Sequence, residues 1–146
     1  MRFVFRFAIL VAFAMSLASA QEPTSIAQVK TIIMRFDAAP NTSTMVLTEL
    51  EARLPEIGIA VTADQAEADA ELTITSSQSS AGSPYTGGIF GGVKADVSSS
   101  VRVFSLPSHR LLFSTMRGAQ EDELSKACKK TAKAVSKSLK QARGRK

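Results

Sequence analysis

Four glycines fall within the stretch Gly87 to Gly92 of the segment SPYTGGIFGGVK, and Lys94 follows two places after the last. Glycine-rich turns of this kind hold phosphates when backbone N–H groups converge on the anion at the start of a helix. Gly87 and Gly92 have the glycine spacing of a phosphate-binding loop, but Val93 follows and Lys94 comes one residue late, before Ala95. The next residues, ADVSSSVRVF, alternate as a strand, so no helix start is offered to an anion. Nucleotide binding is not expected, and no cofactor is expected. The segment reads as a long connection between strands, residues 78–94, and a loop of that length within a small domain is usually functional or disordered. Tyr85, Ile89 and Phe90 interrupt the glycines. They either fold back over a sheet edge or face, or present a contact surface, which makes them candidate partner-contact residues.

The remaining reactive residue types are sparse. His109 is the only histidine and Cys128 the only cysteine, too few for the usual zinc ligand set. His109 sits beside Ser108 in the turn-forming segment SLPSH, and a catalytic triad would need spatial partners that sequence order cannot supply. An exposed turn histidine is the expectation. Asp64, Glu67, Asp69 and Glu71 lack the spacing of a calcium loop and read as a solvated turn and strand face. Cys128 falls on the apolar side of a helix, where a small buried side chain is expected, the alternative being pairing between chains. Asn41-Thr42-Ser43 matches a glycosylation acceptor, and helix capping explains the same residues. No catalytic residue and no metal site is expected, and the chain does not read as an enzyme.

Charge supplies the other candidate. From Lys126 onward there are nine basic residues and no acidic one, whereas Gln21 to Ser125 holds seven basic and thirteen acidic residues. Lys126, Lys130, Lys133, Lys137 and Lys140 recur at helical spacing and form a candidate anion-contact face. Anionic lipid or polymer would suit it, or the acidic body of the same chain. No aromatic residue interleaves with the lysines, so base stacking is not offered and nucleic acid is not expected.

The elements that must position these residues start after an export signal. Arg2 and Arg6 precede the apolar run FAILVAFAMSL, and Ala18-Ser19-Ala20 supplies a small-residue cleavage site before Gln21. The expected organisation is a cleaved signal, 1–20, and one domain, 21–146, periplasmic or secreted, with no transmembrane segment left after cleavage. No cysteine sits just after the apolar run, so lipid attachment there is not supported. AQVKTIIMRFD reads as a central strand. It is followed by a helix with Val46, Leu47, Leu50 and Leu54 on one face, ended by Pro55 and Gly58. GIAVTA and AELTITSS are further strands. ADVSSSVRVF and RLLFSTMRG form a hairpin, and a basic helix closes the chain over about 120–141, with Glu121, Asp122 and Glu123 in its first turn. The predicted fold class is α/β: a two-layer sandwich with a mixed sheet of about five strands and both helices on one face, in the order β-α-β-β-β-β-α.

The apolar strand VKTIIMRF, the acidic lead ADQAEADAELTIT, the hairpin VSSSVRVFSLPSHRLLFSTMRG and the closing helix ACKKTAKAVSKSLKQ occur in an order that resembles small α/β modules of exported bacterial envelope proteins. These include CsgG-like lipoproteins and the TolB amino-terminal domain. The resemblance implies a non-catalytic accessory or interaction module of the cell envelope whose partner is an envelope protein or an anionic surface. The alternative is an electrostatic binder of anionic lipid or polymer through the lysine-rich helix.

Overall fold

The computed structural model describes residues 21–36, 41–81 and 94–144. The expected signal and the loop residues Tyr85, Ile89 and Phe90 lie outside them. Five strands and two helices follow one another as β1 (Thr31–Phe36), α1 (Asn41–Glu51), β2 (Ala60–Thr62), β3 (Ala70–Ala81), β4 (Lys94–Ser105), β5 (Leu111–Glu121) and α2 (Leu124–Arg143). The sheet order is β2-β1-β3-β4-β5. β1 is parallel to both of its neighbours, and β3, β4 and β5 form an antiparallel meander. The two helices pack on each other, α1 against β3 and α2 against β4 and β5, which is the predicted two-layer sandwich.

Period-two alternation decides which side chains meet the helices. Leu72, Ile74 and Ser76 of β3 and Val97, Ser99, Val101 and Val103 of β4 point into the helix layer and are buried. Val46, Leu47, Leu50 and Leu54 on or just beyond α1, and Ala127, Cys128, Ala132, Val135 and Leu139 of α2, close on them. Leu50, Leu54 and Leu72 are fully enclosed, and burying such a side chain contributes about 1.5–3 kcal/mol relative to exposure.

Several boundaries differ from the sequence reading. α2 starts at Leu124, because Gln120 and Glu121 remain on β5, paired with Asp96 and Ala95 of β4. No acidic residue occupies the first turn of α2, and Glu123 stands at the N-cap position. The connection is shorter than 78–94, since Gln78 to Ala81 continue β3 opposite Val97 to Lys94. Ladder hydrogen bonds here outweigh the low strand preference of a Ser-rich run.

Ser43 does not act as a cap. Among the described residues, β1 pairs with β3 as far as Ile74, and two residues further along β3 the Ser76 N–H donates to Ser43 Oγ at 3.0 Å. The Ser76 hydroxyl pairs with Ser99 Oγ at 2.7 Å. A helix side chain thus satisfies this buried strand N–H.

Asp69 is likewise no solvated turn carboxylate. Its Oδ2 accepts from the N–H of Lys30 at 2.8 Å and of Thr31 at 2.9 Å, and its carbonyl accepts from Leu106 N–H at 3.0 Å. It clasps the start of β1 to the β4–β5 turn. Glu71 pairs with Arg35 at 3.3 Å, while Asp64 Oδ1 accepts from Ala66 N–H within its own turn.

Candidate functional site

Among the described residues, the helices cover one face of the sheet and leave the other open. On the open face β3, β4 and β5 present a lawn of hydroxyls, including Thr73, Thr75, Ser98, Ser100 and Ser114. Phe104, Leu111 and Met116 share this face, by their registers Phe104↔Leu111 and Ser100↔Met116. Leu111 is 52% exposed and Met116 is 68% exposed. β5 also borders the sheet along eleven residues, whereas the opposite border strand, β2, has three. Long border strands leave a row of backbone donors and acceptors available to another chain.

The lysine face of α2 divides into two halves of different character. Lys126 pairs with Glu123 at 3.1 Å, Lys129 with Glu49 at 3.8 Å, and Lys130 with Glu121. The Glu123 contact raises the Lys126 pKa, and the Lys130 ammonium lowers that of Glu121. Among the described residues, Lys133, Lys137 and Lys140 have no carboxylate within 4 Å. Of the five lysines singled out from the sequence, Lys126 and Lys130 therefore face their own domain's acids, and three remain uncompensated. Arg143, at the end of the same helix, donates to the carbonyls of Val29 and Gly58 and is a structural clasp.

Arg117 is the cation that sequence reasoning missed. It lies on β5 in phase with Phe113, Thr115 and Ala119, so alternation alone carries it toward the helix layer. Its Nε donates to Ser138 Oγ at 2.9 Å.

A cleft of about 420 Å³ opens between the first turns of the two helices, with Met45 and Cys128 among its lining and the Glu49–Lys129 pair alongside. Burial raises the pKa of the Cys128 thiol, and Glu49 adds to the effect, so this buried free cysteine is poorly disposed to ionise. His109 is exposed in the β4–β5 turn at φ 54°, with its N–H donating to Ser105 carbonyl at 3.0 Å. Among the described residues there is no group of three or more His, Cys, Asp or Glu able to hold a metal ion. No described helix is long and apolar enough to cross a membrane.

No protein-family model matches the sequence, and no curated protein matches it. Solved structures of the same fold do. The PelC dodecamer from Paraburkholderia phytofirmans superposes with a TM-score of 0.56 at 11% identity, over 73% of this chain and 86% of that one. Lipoprotein GNA1162 from Neisseria meningitidis gives 0.53 at 17% identity, over 77% and 99%. A minor lipoprotein from Acinetobacter baumannii gives 0.52 at 11% identity, over 78% and 94%. At these identities the likeness is one of fold.

Proposed function

We propose that the protein is an exported, non-catalytic interaction module of the bacterial cell envelope that assembles with further copies of itself through β5 and the open sheet face. The observation that carries this reading is the exposure of Met116 and Leu111 on a long border strand of a sheet that the described residues cover on one side only. Apolar side chains next to unpaired strand backbone suit strand addition or face packing by another protein. The export-type amino terminus supports the compartment. So do the fold neighbours, two of which are named lipoproteins and one a dodecamer.

Sedimentation velocity of the exported chain tests the reading. The wild type is expected to sediment as a multimer, and Met116→Asp is expected to shift it toward monomer with its circular dichroism unchanged. A wild type that stays monomeric at high concentration, or a Met116→Asp multimer indistinguishable from it, would contradict assembly through this face.

A further inference from the structure

We propose that the groove between β5 and the last turns of α2 is a binding site for the phosphate of anionic lipid headgroups, with Arg117 as the contacting cation. The groove encloses about 190 Å³, and its polar lining is Ser114, Thr115, Arg117, Ser138 and Gln141. Ser138 is 9% exposed. Its hydroxyl donates to the Ala134 carbonyl at 3.0 Å and accepts from Arg117 Nε at 2.9 Å. That relay holds the guanidinium by one edge. Among the described residues, its two terminal nitrogens have no acceptor, and no carboxylate lies within 4 Å of it. A guanidinium fixed at Nε with its fork unoccupied is prepared for bidentate contact with a phosphate. The hydroxyl of Thr115 and the amide of Gln141 offer neutral donors around it.

The surrounding charge favours the same ligand. Of the three uncompensated lysines, Lys137 neighbours the groove-lining Gln141 around α2, while Lys133 and Lys140 stand further round the solvent face of the same helix, the three spread over about 10 Å of its length. The acids Glu49, Glu121 and Glu123 are spent on the other half of the helix. The carbonyl end of α2 opposes an anion with about half a unit charge, against four full cations. One arginine in the groove with further ammonium groups on the solvent face of the same helix matches a plane of headgroups better than a single small anion, since each added cation near an anionic bilayer strengthens attachment. The inference does not rest on assembly: Arg117 faces the helix layer and Met116 the opposite side of β5, so Met116→Asp is expected to leave vesicle retention by the resulting monomer intact.

Co-sedimentation of the exported chain with vesicles tests it. Retention is expected on phosphatidylglycerol-containing vesicles and not on phosphatidylcholine alone. Arg117→Gln is expected to weaken retention by about tenfold, as loss of a charge-assisted contact would. Lys137→Gln, which removes no packed or hydrogen-bonded group, is expected to weaken it by a smaller factor, and Lys126→Gln to leave it within about twofold, because that ammonium is already paired. Equal retention on both vesicle types, or equal loss for Lys126→Gln and Lys137→Gln, would overturn the site. So would protection of Arg117 from arginine-selective modification by inorganic phosphate but not by vesicles, which would assign a soluble anion instead.

Discussion

At the scale of single residues, polar side chains do structural work at places where strands stop short. Asp69 shows the logic most clearly. Burial pushes its carboxyl pKa upward, but the N–H donors of Thr31 and Lys30 outweigh that, and the pKa ends below its ordinary value. A carboxyl lowered by folding adds stability above its unfolded pKa, and that contribution is lost as the pH falls through the folded value. Asp69→Asn is therefore expected to lose about 1.5–2 kcal/mol at neutral pH, at the low end of the range for hydrogen bonds to a charged group. Urea unfolding at several pH values checks it: the gap between variant and wild type should close below the usual carboxylate range, where the wild-type carboxyl is itself protonated. Glu22 follows the same sign. Hydrogen bonds from Ser105 and Ser108 lower its pKa and tether the segment before β1 to the β4–β5 turn. Neither role was legible in the sequence. An acidic residue before a strand looks solvated until the turn that approaches it, from 37 residues further along in the case of Leu106, is known.

At the scale of elements, alternation was the most informative signal. The phases of β3 and β4 and the apolar stripes of both helices were readable directly, because a side chain's face follows from backbone geometry. Ala132 and Ser136 of α2 are buried as well, and small residues such as these are weak markers of burial in a hydropathy pattern. The ends of β3, β4 and β5 were less legible, since pairing partners rather than local propensity extend a strand. Gly118 belongs to this scale. A Cβ there would lie 2.9 Å from the Val97 carbonyl oxygen and 3.5 Å from Ser98 Cα, so β5 approaches β4 too closely for a side chain. Gly118→Ala is expected to destabilise the chain by about 1–3 kcal/mol, the usual range for overpacking, as read by thermal or urea unfolding. Backbone, not a flexible side chain, blocks the added methyl, so relief requires β5 to move.

At the scale of the whole molecule, the closing helix completes the fold and also carries its charge asymmetry. Arg143 ties the end of α2 to the carbonyls of Val29 and Gly58, which precede β1 and β2. Val29 is fully buried, so its carbonyl depends on this donor. Arg143→Met is expected to cost about 1.5–3 kcal/mol, and amide exchange of the last turn of α2 should speed up more than that of β3. The sequence reading ends this helix at about 141, short of Arg143, whereas α2 runs through it. The closing helix, the acidic body, the strand–helix order and the two-layer class all followed from the sequence alone, because composition and periodicity are local properties that survive any arrangement of the elements. Only the tertiary structure decided which lysines are neutralised, that Arg117 is held by Ser138, and that Met116 lies on an open face. Those outcomes depend on distances between residues far apart in the chain, and a pattern read along one dimension carries no such distances.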